Sequence, residues 1–247
     1  MGILLLSKLV ILATNKLQDF QLMFKKELTL SDYFLIAANL LPVIGVWVWN
    51  WDPKEMFLVY CLETIIIGIL NLVKMAIVTL AKKTDDWNAN GKTTRQPGLV
   101  FMLFFLVHYG IFVGVQMSIF FGVSGIGKGS GINALNFFYK WPQLLHTDSL
   151  IVLGIFVFCY CYKMILEFVL SGEYRSTSLM MLMFQPYGRI FIQQFTVIVG
   201  SMFLSLGAGK IFILVFAAIK IFFESFINYE ALINKRMREA EKDSGQQ

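Results

Sequence analysis

The stretch 56–80, MFLVYCLETIIIGILNLVKMAIVTL, decides the fold. Apart from Glu63 and Lys74 it carries no charge, and no proline interrupts it. A helix needs about 20 mostly apolar residues to cross the hydrocarbon core of a bilayer, and this run exceeds that length. Five more runs meet it, at about 32–49, 99–121, 149–171, 188–208 and 211–231. The composition agrees: of 247 residues, 57% are hydrophobic and only 15% charged, against roughly 25% charged in a soluble domain. Mean hydropathy is +0.67. These values exclude a disordered chain, a nucleic-acid binder and an ordinary soluble enzyme. The expected class is an all-α integral membrane protein, a six-span helical bundle over 29–232.

The ends differ from the middle. Residues 1–28 contain an apolar run broken by Lys8 and too short to span. Lys8, Asn15, Asp19 and Lys26 share one helical stripe, and Leu9, Ala13, Leu17, Phe20 and Phe24 share another. The segment reads as an amphipathic helix lying in the interface, with a cleaved signal peptide as the alternative. Residues 233–247 read as a polar cytoplasmic tail.

Basic residues set the expected orientation. With six spans both termini share a side, and the connections on that side hold fourteen lysines and arginines against four opposite. The positive-inside rule then puts both termini in the cytoplasm of a cell bounded by a plasma (inner) membrane. The lipid bilayer is the first partner, with a membrane-protein partner or a homo-oligomer next.

Repetition shows between spans. His108-Tyr109-Gly110-Ile111-Phe112 in the third span parallels Tyr187-Gly188-Arg189-Ile190-Phe191 in the fifth. Lys163 to Phe168 in the fourth parallels Lys220 to Phe226 in the sixth. Repeated helical hairpins would explain both, and transporter folds often place a binding site between such repeats. Chance similarity between apolar helices is the competing explanation.

Ionisable groups inside a bilayer cost about 2.5–3.5 kcal/mol each on insertion scales, so they mark function or strong pairing. Six lie well inside spans: Glu63, Lys74, Lys163, Glu167, Lys220 and Glu224. Lys163/Glu167 and Lys220/Glu224 are spaced to meet on one helix face, whereas Glu63 and Lys74 are too far apart along the axis. Asn71, His108, Gln116, Arg189 and Gln193 add polar stripes on other spans. Such stripes must face one another, because lipid leaves them unsatisfied. The candidate pathway therefore comprises Glu63, Asn71, Lys74, His108, Gln116, Lys163, Glu167, Arg189, Gln193, Lys220 and Glu224. A register-fixing role for the ion pairs is the plain alternative. The cytoplasmic half carries more cations than anions, which favours an anionic solute or lipid headgroup, with coupled protons as another cargo.

Other motifs fail on context. GVSGIGKGSG at 122–131 approaches a phosphate-binding loop, but glycine follows Lys128 where serine or threonine must reach magnesium. No HExxH, HxxEH or Ser/Lys dyad supports catalysis, and Cys61, Cys159 and Cys161 have no metal-ligand spacing. No catalytic residue, metal site or cofactor is assigned.

Several of these motifs resemble a bacterial family of multi-pass membrane proteins known only as a domain of unknown function. The resemblance rests on Tyr60-Cys61-Leu62-Glu63 with Ile65 to Gly68, on Asn71 and Lys74-Met75, and on His108 to Phe112 and Tyr187 to Ile190. It implies location and architecture, not an activity. The family pattern tends to place histidine where this chain has Gln116 and Gln193, which weakens metal or histidine chemistry here.

Overall fold

A capping box opens the first helix. Thr29 Oγ1 accepts from the Asp32 backbone N–H, while Asp32 Oδ2 accepts from the Thr29 N–H at 3.0 Å. The computed structural model describes residues 28–89, 92–126, 131–132 and 136–227. The expected interfacial helix, but for its last residue, and the tail lie outside the described residues.

Six long helices follow in order among the described residues: α1 Leu30–Val48, α2 Pro53–Lys82, α3 Gly98–Ser124, α4 Thr147–Lys163, α5 Leu179–Ser205 and α6 Gly209–Phe226. Four helical stretches are long and apolar enough to cross a membrane: Leu30–Val48, Pro53–Lys82, Gly98–Gly122 and Thr147–Leu170. The chain is thus all-α in class, apart from one small hairpin.

α2 is the central post. Every residue from Glu55 to Thr64 is buried, the all-round burial of a helix enclosed by others. It packs against α3, α4 and α5, while α1 packs against α4 and α6, and α5 against α3 and α6. The α2–α3 seam is close at Gly68, where a Cβ would come within 2.4 Å of the Tyr109 ring. Tyr109 donates its hydroxyl to the Thr64 carbonyl there, at 2.8 Å. By contrast Leu103, Leu106, Val107, Ile111 and Val115 of α3 are exposed. Apolar side chains turned outward are what a lipid-facing helix surface requires.

Three local features depart from the sequence reading. First, α5 begins at Leu179 and runs through Pro186, whereas the apolar run read from the sequence starts only at 188. A proline inside a helix withholds the N–H that the carbonyl four residues earlier would receive. That carbonyl belongs to Leu182, and Asn71 Nδ2 donates to it at 2.9 Å. A neighbouring helix supplies the missing donor, so the helix continues.

Second, the connection after α2 folds as an antiparallel hairpin, β1 Thr84–Ala89 and β2 Lys92–Pro97, with Thr84 opposite Pro97. Its strands carry no alternating apolar face, so no period-two signal announces them. Trp87 anchors it on Phe101 and Phe104 of α3, and Asp85 Oδ2 accepts from the Leu179 backbone N–H at 2.6 Å. Third, α4 passes into a π-helical turn, Met164–Leu170. Such wide turns interrupt α-helices mostly at functional positions, and this one carries Glu167.

Candidate functional site

Asp32 and Asn39 lie about two turns apart on the same side of α1. Each receives a lysine from a different neighbouring helix. Towards the hairpin end, Lys163 Nζ of α4 lies 2.5 Å from Asp32 Oδ1 and 3.5 Å from Glu167 Oε2. Glu167 Oε1 accepts from Thr29 Oγ1 at 2.7 Å and from Ser31 Oγ. This lower cluster stays partly open, with the Glu167 side chain 33% exposed.

The upper cluster is sealed. Lys220 Nζ of α6 donates to Asn39 Oδ1 at 2.5 Å, to Glu63 Oε1 at 2.7 Å and to Glu224 Oε2 at 3.3 Å. The Tyr160 hydroxyl of α4 also donates to Glu63 Oε1. The ammonium stands 5.5 Å from the Tyr60 ring centroid and 5.2 Å from that of Phe156, which adds cation–π attraction. Tyr60 in turn donates its hydroxyl to the Asn39 carbonyl at 2.7 Å. Glu63 is 0% exposed. Its second oxygen, Oε2, has no hydrogen-bond partner.

Among the described residues, each cluster thus gathers two carboxylates around a shared lysine. The excess of cations read along the cytoplasmic half does not carry over into these clusters. Lys74, expected in the lining, stands instead over the Phe168 ring at 5.0 Å.

The remaining candidates fall elsewhere. Asn71 serves the Pro186 position, as described above. His108 is exposed, a correction to the polar stripe it was expected to share with Gln116. Eight residues advance a helix by 800°, so the two side chains point about 80° apart. His108 bonds instead through Nδ1 to the Tyr187 hydroxyl, between the rings of Phe104 and Phe112. Gln116 is fully buried, and beyond the Cys61 thiol beside it neither of its polar atoms has a hydrogen-bond partner. Gln193 Nε2 donates to the Tyr60 carbonyl at 2.5 Å. Arg189 lies within α5, with its side chain outside the described residues. Among the described residues, no group of three or more His, Cys, Asp or Glu side chains is arranged to hold a metal ion.

Sequence reasoning singled out neither Asp32, Asn39 nor Tyr160. Three buried or half-buried polar groups on the first and fourth spans were the available signal, but which of them face Glu63 depends on helix rotation. It also passed over His146. At the end opposite the hairpin, Glu55 Oε2 accepts from the His146 backbone N–H at 3.0 Å and from Ser149 Oγ at 2.7 Å. The His146 ring bonds to Glu55 Oε1. That hydrogen bond, and the carboxylate's charge, hold the His146 pKa above its ordinary 6.5. A raised folded-state pKa stabilises the fold fully below the unfolded value, and the contribution fades as pH rises through the folded one. An NMR titration of the imidazole should give a midpoint above 6.5, and Glu55→Gln should return it towards the ordinary value.

Comparison with family models matches residues 21–246 to the family described as "Family of unknown function (DUF6498)". The chain belongs to that family. Comparison with curated proteins and with solved structures returned no match.

Proposed function

We propose that this member of a family of unknown function is a six-span membrane protein that moves protons, using the Glu63–Lys220–Glu224 centre as its binding point. The reading includes cytoplasmic placement of both termini, on the basis of the charge bias along the chain. The observation that carries it is Glu63. A fully buried carboxylate shares one lysine with a second carboxylate and keeps one oxygen unengaged. A carboxylate oxygen buried without a hydrogen-bond donor is expensive in a medium of low dielectric, and an arriving positive charge relieves that cost. A proton is the smallest such charge and needs no cavity of its own. Chains of acidic groups within spans are the usual means of proton passage. An acid-rich centre also suits a cation better than the anionic solute that the linear charge count favoured.

The competing reading makes the ion pairs a packing device with no cargo. Its support is that every ionisable group of both clusters has a partner among its neighbours. Proton flux separates the two. Purified protein in liposomes holding a pH-sensitive dye is given a pH step across the bilayer. The wild type should equilibrate faster than empty liposomes, and Glu63→Gln should fall to the empty-liposome rate while remaining folded by circular dichroism. Equal rates for wild type and empty liposomes would leave the packing reading in place.

A further inference from the structure

Ionisable side chains inside a span nearly always turn to the bundle interior. His108 does not. It is exposed on α3, beside Phe104, Val107 and Ile111, which are 41%, 63% and 58% exposed. α3 is among the helices long and apolar enough to cross a membrane. In the span reading, on which this inference rests, that flank meets lipid rather than water. A helix of 27 residues rises about 40 Å against about 30 Å of hydrocarbon, which leaves about 5 Å beyond the core at each end. His108 stands about 15 Å from the start of α3 at Gly98, so it lies about 10 Å inside the hydrocarbon.

The surroundings of the imidazole are aromatic and come from two helices. On α3 the Phe104 ring lies 5.3 Å away, tilted by 33°, and the Phe112 ring 5.3 Å away at 90°. On α5 the Tyr187 ring lies 5.2 Å away, with Phe184 6.0 Å beyond it. Trp87 of the hairpin closes the row at the near end of α3, 5.5 Å from Phe104. The Tyr187 hydroxyl bonds to His108 Nδ1, which fixes the plane of the imidazole and commits one of its nitrogens. When that hydroxyl donates, Nε2 carries the proton and is a donor; when it accepts, Nε2 is an acceptor. Among the described residues, Nε2 has no hydrogen-bond partner.

A nitrogen at this depth needs a partner that dissolves in hydrocarbon. Phospholipid headgroups stay at the interface, short of it. A second copy of this flank would lay mainly Phe104, Val107 and Ile111 against the imidazole, and these supply no polar side-chain atom. What fits is a flat ring that carries a polar oxygen and trails an apolar tail, since apolar walls with one well-placed polar group are the usual make-up of a ligand site. We propose that this aromatic flank of α3 and α5 binds the ring of a membrane quinone, with a carbonyl oxygen accepting from His108 Nε2 and the tail lying in lipid. The reduced form fits as well, because a quinol hydroxyl donates to Nε2 when the direction of the Tyr187 bond is reversed. His108 is the binding residue, and Tyr187 positions it.

The chain has two histidines, and His146, at the opposite end of the bundle, is an internal control. The full chain with isotope-labelled histidine is placed in nanodiscs, followed by NMR and titrated with decylubiquinone. The ring-nitrogen signals of His108 should shift and saturate while those of His146 stay in place. Tyr187→Phe should raise the half-saturating quinone content several-fold. An azido-quinone photolabel should attach within α3 or α5, and His108→Phe, which keeps an aromatic ring, should lower that labelling several-fold. A shift that rises without saturating, or that decanol reproduces, would overturn the proposal. So would a shift produced by phosphatidylglycerol and not by quinone, which gives the flank to headgroups, or one that follows the number of copies per disc, which gives it to a second copy. A chain that does not enter the discs would remove the span reading together with the site. An inserted chain whose His108 ignores quinone loses the site alone, and proton flux through Glu63 stands or falls separately.

Discussion

Lys220→Met should destabilise the protein by about 3–5 kcal/mol, the range for breaking a buried ion pair from one side. Lys220 is the cation that holds Asn39, Glu63 and Glu224 together among the described residues. Methionine keeps most of the volume and the apolar stem but removes the ion-pair partner that Glu63 and Glu224 share. Removing an acid is a different matter. Glu63→Gln keeps the Lys220–Glu224 pair and an acceptor for Tyr160, so its effect on stability should be much the smaller. The combined Lys220→Met, Glu63→Gln, Glu224→Gln variant, with all three of these buried charges removed, should recover most of the loss. Denaturant titration in detergent micelles measures all three. A Lys220→Met variant as stable as the wild type would show that the centre is not held by its charges.

Phe57→Ala should cost a similar amount, about 3–5 kcal/mol, because a large ring leaves a cavity that rigid neighbours cannot close. Phe57 is fully buried on α2, and its ring centroid lies 5.2 Å from Phe120 of α3 and 5.0 Å and 5.5 Å from Phe212 and Phe216 of α6. It therefore joins α3 to α6. Phe57→Leu should lose considerably less, since it restores most of the volume. The same denaturant titration reads the difference. The effects of Phe57→Ala and Lys220→Met should not simply add. Phe216 touches both Phe57 and Tyr60, and Tyr60 lies against the Lys220 ammonium, so the two sites share neighbours.

Helix positions were the most legible part of this chain, because apolar runs of bilayer length leave little choice of structure. The span boundaries read from residues 56–80 and 149–171 fall close to those of α2 and of α4 with its π turn. Local pairs were legible too: Lys163 with Glu167 and Lys220 with Glu224 meet as their four-residue spacing requires. Contacts between helices were not. Sequence spacing fixes neighbours along one helix, but the choice of Asn39 and Tyr160 as companions of Glu63 depends on the rotation of three helices. His108 shows the same limit from the other side, since an eight-residue spacing turned it out of the bundle. The start of α5 was hidden because the usual meaning of proline as a boundary was cancelled by a residue 115 positions away, a separation fixed by Asn71 and Pro186.

That cancellation has an evolutionary consequence. Asn71 is useful because Pro186 withholds a donor, and Pro186 is tolerable because Asn71 provides one. At this contact the value of each position depends on the other. Alanine at 71 is harmful beside proline at 186 and far less so beside a residue that restores the backbone N–H. The two sites are therefore epistatic, and a lineage that loses the proline frees the asparagine to drift.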